Sequence, residues 1–158
     1  MSSPTKPRRR LTRILLVEDE QRRHTWFTSQ LACIPDVHLV WAKTGIAAIT
    51  LLKKDAPDTY SGLLLDHDLH TESVVLRSDG RRVVDTIIAK VDVATPALVH
   101  SANSQMAPIM ENSLKGAGFD VTRIHFSELV AEPSRFIAWL EKVKDRRAEL
   151  DEDAEEGA

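Results

Sequence analysis

The sequence has a single cysteine, Cys33, among its 158 residues. One thiol excludes an internal disulfide framework and any zinc site built from several thiolates. No apolar run approaches the roughly 20 residues that a membrane-spanning helix needs. The basic beginning of the chain is also not followed by the apolar stretch of a secretion signal. We therefore expect a soluble protein in the reducing environment of the cytoplasm.

A large excess of charge of one sign is also missing. Lys and Arg number 21 and Asp and Glu 24, which gives a formal net charge of -3. This balance argues against a protein whose whole surface binds a polyanion such as nucleic acid. The charges are nevertheless concentrated at the two ends. We expect a flexible basic arm over residues 1–12 and a flexible acidic tail over residues 146–158, because neither has enough apolar side chains to offset the entropy of ordering.

Five short apolar runs occupy the single domain expected over residues 13–145. They lie at residues 14–17, 37–41, 62–65, 97–99 and 121–126. Such runs are typical of strands that are covered on both faces, as in a parallel sheet. Segments with helical spacing alternate with them, for example Phe27 with Leu31 and Phe136 with Leu140, and Pro133 suits the start of the last helix. The pattern predicts an α/β fold in three layers.

Polar side chains follow these strands where each of them ends. They are Glu18 and Asp19 after the first strand, Asp66, His67 and Asp68 after the third, His100 and Ser101 after the fourth, and His125 in the fifth. The carboxyl ends of parallel strands meet at one edge of a sheet, where such folds place their functional crevice. We therefore expect these side chains to lie close together.

Three of these groups, Glu18, Asp19 and Asp66, are carboxylates that would repel one another without a compensating proton or cation. A site made only of oxygen ligands favours a hard divalent ion, and Mg²⁺ is the natural choice in cytoplasm. The alternative is that they are solvated loop residues, or charges that stabilise the start of a helix. Acidic residues at the ends of two separate buried strands favour the metal interpretation.

The ordered motifs resemble the receiver domain of two-component response regulators. The resemblance covers residues 13–143 and is carried by Ile14-Leu15-Leu16-Val17-Glu18-Asp19-Glu20, Leu64-Leu65-Asp66, Asp79-Gly80 and Leu98-Val99-His100-Ser101-Ala102. It implies the flavodoxin-like (βα)5 fold, with five parallel strands in the order 2-1-3-4-5. It also implies that Glu18 and Asp19 hold Mg²⁺, that Asp66 accepts the phosphoryl group and that Ser101 is the switch hydroxyl. Asp68 would give a backbone carbonyl to the metal.

Two positions depart from that pattern. Receivers carry a Lys followed by Pro at the end of the fifth strand, and His125 followed by Phe126 stands there in this sequence. Thr122 takes the approximate place of the aromatic switch residue. The segments 65–69 and 100–103 are similar to a divergent branch, the cyclic-phosphate-processing or conflict-associated receivers. In that branch His67, His100 and His125 would act as acid, base or hydrogen-bond donor around a metal-bound phosphate.

Three functions follow from these observations. The first is a stand-alone signalling module in which Asp66 accepts phosphate from a histidine kinase or another phosphodonor and reports it to a protein effector. The second is a metal-dependent phosphohydrolase that acts on a phosphoester, which in the branch named above would be a cyclic nucleotide or a terminal cyclic phosphate. The third is a receiver-like module that senses a ligand without chemistry. The histidines and the missing lysine favour the second. We expect the first, because Glu18, Asp19, Asp66 and Ser101 are suitable residues at four of the five pocket positions of a receiver.

Overall fold

The computed structural model describes residues 11–66, 79–101 and 105–156. Five strands and six helices occupy these ranges. In chain order they are β1 (Thr12–Val17), α1 (Gln21–Leu31), β2 (Val37–Ala42), α2 (Gly45–Lys54), β3 (Gly62–Leu65), α3 (Asp79–Lys90), β4 (Ala97–Val99), α4 (Met106–Gly116), β5 (Val121–Arg123), α5 (Phe126–Ala131) and α6 (Pro133–Glu156). Among the helices described, none is both long enough and apolar enough to span a bilayer.

The five strands form one parallel sheet in the order β2-β1-β3-β4-β5. This confirms the predicted fold class and strand order. The register pairs Val17 of β1 with Leu65 of β3, and Leu65 with Val99 of β4. The last residues of these three central strands therefore lie side by side, and whatever follows them in sequence emerges at the same edge of the sheet.

Side chains of the central strands pack on both faces of the sheet. Leu15 and Leu63 point into a core that also contains residues of α2, α3 and α4. Ile14 and Leu64 point into the opposite core, which α1, α5 and α6 cover. Since successive strand residues face opposite sides and both sides are covered, the buried positions 14–17, 62–65 and 97–99 carry no polar side chain. This is the physical origin of the uninterrupted runs in the sequence.

The chain beyond β4 differs from the prediction in two places. β5 ends at Arg123 rather than at residue 126, and the short helix α5 begins at Phe126. Residues 146–156, predicted to be a flexible tail, continue the helix α6. The reason is burial: Arg146 is 6% exposed and Leu150 is 7% exposed, and Arg146 also forms an ion pair with Asp92 at 3.0 Å.

Close packing of α6 on β3 depends on the absence of a side chain at Gly62. A Cβ atom there would lie 2.8 Å from Cγ2 of Val143 and 3.0 Å from Cη2 of Trp139. We expect Gly62→Ala to lower the free energy of unfolding by about 1–3 kcal/mol because the buried partners must shift. Denaturation in urea measures the change.

Gly116→Ala is the matched control. A Cβ atom at Gly116 meets no heavy atom within 4 Å, and alanine is about 0.5–1 kcal/mol more favourable than glycine inside a helix. This variant should be as stable as the original protein or slightly more stable. Equal stability of the two variants would contradict the close approach of α6 to β3.

Candidate functional site

Backbone hydrogen bonds align the residues that follow β1, β3 and β4. The N–H of Asp66 donates to the carbonyl of Val17 at 3.0 Å, and the N–H of His100 donates to the carbonyl of Leu65 at 3.0 Å. The pairing of the strands thus extends one residue beyond their assigned ends. Glu18, Asp66 and His100 consequently stand next to one another, although they come from three separate segments.

The carboxylates of Glu18, Asp19 and Asp66 form a cluster in which one oxygen of each lies within 4.8 Å of the others. Glu18 and Asp66 are buried, with 0% and 2% of their surface exposed, and Asp19 is half-buried. The sequence analysis predicted this meeting of the three acids. Their spacing and their all-oxygen chemistry fit a divalent cation such as Mg²⁺.

The side chain of Glu18 is held from two sides. Its Oε1 accepts the backbone N–H of Glu20 at 3.2 Å, and its Oε2 lies 2.7 Å from Nε2 of His100. Its backbone carbonyl accepts the indole N–H of Trp41 at 2.7 Å. Glu18 therefore has a fixed orientation at the end of β1.

Burial favours the uncharged form of both members of the Glu18–His100 pair. Desolvation raises the pKa of Glu18 to about 7, against the lowering effect of its bond to the Glu20 N–H and of the Arg23 charge. Desolvation also lowers the pKa of His100 to about 4, although the Asp66 charge favours protonation. A buried charge is costly, so Glu18 is mainly protonated below about pH 7, and the imidazole of His100 is neutral above about pH 4.

His100 is a fully buried residue of the site, and its predicted role as an acid, a base or a hydrogen-bond donor remains a prediction. Its ring is 0% exposed and packs edge-on against Phe27, with ring centroids 5.0 Å apart. It lies behind Glu18 and contacts it through Nε2. In this position His100 can orient Glu18.

A cation from α1 enters the carboxylate cluster. NH1 of Arg23 lies 3.5 Å from Oδ2 of Asp66 and 3.7 Å from Oε2 of Glu18. Its Nε lies 3.2 Å from Oε2 of Glu20. The guanidinium stacks over the ring of Phe126, 5.1 Å from the centroid, and only 13% of the side chain is exposed.

The other predicted site residues lie as follows. Ser101 is 4% exposed and follows His100 at the end of β4. His125 is exposed and caps α5, where its Nδ1 accepts the N–H of Ser127 at 3.1 Å. His67 and Asp68 lie outside the described residues. Their predicted roles, and those of Ser101 and His125, remain predictions.

The sequence analysis did not select Arg23. A basic residue three positions after Glu20 on an amphipathic helix is indistinguishable from an ordinary surface ion pair of the i,i+3 type. The available signal was its location: α1 begins directly after the acidic end of β1, so its first turn stands at the functional edge of the sheet.

Residues 13–116 match the family described as the cyclic-phosphate processing Receiver domain. Among curated proteins, none matches the sequence.

Solved structures share the fold at low identity. The signal receiver domain of a LuxO repressor protein from Vibrio parahaemolyticus is 20% identical, with 88% of this chain and 95% of that chain covered and a TM-score of 0.57. The receiver domain of a sensor histidine kinase from Pseudomonas aeruginosa, which has a magnesium ion in its active-site cleft, is 18% identical over 85% and 98% of the two chains, with a TM-score of 0.57. The Mn²⁺-bound response regulator Rcp1 is 21% identical over 72% and 80%, with a TM-score of 0.54.

The titration of Glu18 predicts a pH dependence of Mg²⁺ binding. The pKa of Glu18 in the metal-free protein is raised to about 7, so below that pH a bound cation must displace its proton. Affinity should therefore increase as the pH rises toward 7 and level off above it. Calorimetric titration with Mg²⁺ in buffers of different ionisation enthalpy would detect the released proton.

Two variants serve as controls for this titration. Glu18→Gln should remove most of the pH dependence, and Asp19→Asn should weaken binding at every pH but retain the slope. A wild-type affinity that is the same at about pH 6 and about pH 8 would contradict the protonated Glu18.

Proposed function

We propose that this chain, which belongs to the cyclic-phosphate processing Receiver domain family, accepts a phosphoryl group on Asp66 in a signalling role. The observation that supports this most directly is the position of Asp66. Its carboxylate is held at the end of the central strand β3, within 4.8 Å of carboxylate oxygens from Glu18 and Asp19. A nucleophile placed among acids and beside a cation is suited to phosphoryl transfer, which depends on positioning and charge compensation.

Glu18, Asp19 and Asp66 are the described residues that would hold a divalent cation, and Asp68 is proposed as a further ligand. The fit rests on the chemistry of the donors, which are all oxygen, and on their mutual distances. When bound, Mg²⁺ supplies positive charge that offsets the negative charge of the site and of the incoming phosphate. Glu18 cannot turn away from the cluster because Glu20 and His100 hold both of its oxygens.

The transfer itself is a substitution at phosphorus. An Asp66 oxygen forms the new O–P bond while the bond between phosphorus and the donor breaks, and the bonding electron pair leaves with the donor group. The donor is an acyl phosphate or the phosphohistidine of a partner kinase, so no oxidant or reductant is needed. Ser101, directly after β4, is proposed to bond to the phosphoryl oxygens and thereby change the loop that follows it.

The partners of this reaction are proposed from its chemistry. A kinase or a small phosphodonor supplies the phosphoryl group, and a protein effector binds the altered surface. The cytoplasmic location stated above also remains a prediction.

A metal-dependent phosphohydrolase is the second candidate function. It is favoured by the description of the family as cyclic-phosphate processing and by the histidines at the edge of the sheet. In that case the same carboxylates would bind the metal, and a histidine such as His125 or His67 would donate or accept the proton. The third function, a receiver that senses a ligand without catalysis, requires neither phosphorylation of Asp66 nor hydrolysis of a phosphoester.

Phosphorylation of Asp66 can be tested directly with acetyl phosphate and Mg²⁺. The intact mass of the protein should rise by one phosphoryl group, and hydroxylamine should remove it because an acyl phosphate is labile. Asp66→Asn should give no labelling, and Asp19→Asn should label much more slowly. Asp58→Asn, which changes an exposed acid, is the control and should label like the wild type. Unlabelled wild type, or equal labelling of Asp66→Asn, would overturn the proposal.

Hydrolysis of a 2′,3′-cyclic nucleotide distinguishes the second candidate. If the chain is a signalling receiver, Mg²⁺-dependent turnover should be absent from wild type while labelling persists. Turnover that His125→Ala abolishes would favour the enzyme. Ser127→Ala is the matched control, since it removes the hydroxyl that lies 2.6 Å from Nδ1 of His125 and leaves the imidazole in place.

A further inference from the structure

We propose that Arg23 is the residue that binds the phosphoryl oxygens in this chain, in place of a cation from the end of β5. The inference rests on the proposed function, because it concerns the group that Asp66 would carry. It identifies a phosphate-binding residue on α1, whereas receivers carry a Lys at the end of the fifth strand, where His125 stands in this chain.

The first argument is the position of the guanidinium. NH1 lies 3.5 Å from Oδ2 of Asp66. The oxygens of a phosphoryl group on Asp66 are separated from the carboxylate oxygen by a single phosphorus atom, so they fall within reach of the same donor. Arginine binds phosphate with several N–H groups in a planar arrangement.

The second argument is that the guanidinium is already oriented. Its Nε lies 3.2 Å from Oε2 of Glu20 in an ion pair, and one face lies over the ring of Phe126. These two contacts restrict the side chain, 13% of which is exposed, and its NH1 lies near Asp66 and Glu18. A charged group that is positioned beforehand binds an anion without the cost of ordering a long side chain.

The third argument comes from the residues after β5. His125 is exposed and its Nδ1 caps α5, whereas Phe126 is buried and contacts Arg23. The start of α5 therefore supplies an aromatic surface for the cation, and α1 supplies the cation itself.

The test compares Arg23→Gln, Arg23→Lys and wild type, with beryllofluoride plus Mg²⁺ as the probe. ¹⁹F NMR measures the binding of beryllofluoride, and calorimetry measures the binding of Mg²⁺ alone. Arg22→Gln is the matched control: it is the neighbouring arginine, 81% of its side chain is exposed, and it contacts Glu20 at 3.8 Å.

Arg23→Gln should change the two affinities in opposite directions. Beryllofluoride should bind about tenfold to a hundredfold more weakly, since a charge-assisted hydrogen bond is lost. Mg²⁺ alone should bind about two- to fivefold more tightly, because the arginine no longer competes for the carboxylates. Arg23→Lys should lie between Arg23→Gln and wild type, and Arg22→Gln should match wild type.

A purely structural role for Arg23 would instead weaken both affinities together, and that result would overturn the inference. Unchanged beryllofluoride binding in Arg23→Gln would overturn it as well. Both results differ from failure of the proposed function, in which the wild type itself takes up neither Mg²⁺ nor beryllofluoride.

Discussion

The mutual repulsion of carboxylates at one edge of the sheet is the constraint on which the site depends. The register of β1 and β3 places Glu18 and Asp66 side by side and buried, where their charges are poorly screened. The chain compensates in two ways. Glu18 pairs with His100 and has a raised pKa, and Arg23 brings a positive charge to Asp66. Both interactions offset part of the negative charge of the cluster.

The fold provides the precision that this arrangement needs. Hydrogen bonds that continue the strand pairing fix the backbone of Asp66 and His100, and the indole of Trp41 fixes the carbonyl of Glu18. Both faces of the sheet are packed, so none of the three central strands can slide without disturbing a core. The polar residues at the sheet edge are therefore carried by strands that are packed on both faces.

The uninterrupted apolar runs were sufficient to predict the strands, and the parallel pairing of the strands predicted the meeting of Glu18, Asp19 and Asp66. The strand order was implied by the resemblance to receiver domains. The sequence was insufficient where tertiary contacts decide the outcome. Arg146 and Leu150 extend α6 through packing that no local pattern records. Arg23 reaches the carboxylates because of the direction of its side chain. The ring of His100 is buried between Phe27 and Glu18, which come from other segments of the chain. Such contacts between distant segments are not encoded in spacing alone.

The most direct test of this account is the anomalous scattering of a crystal grown with Mn²⁺ as the divalent ion. We predict a single strong peak between the carboxylates of Asp19 and Asp66. A peak elsewhere on the molecule, with these two side chains free of metal, would contradict the central claim that the acids at the ends of β1 and β3 share one cation.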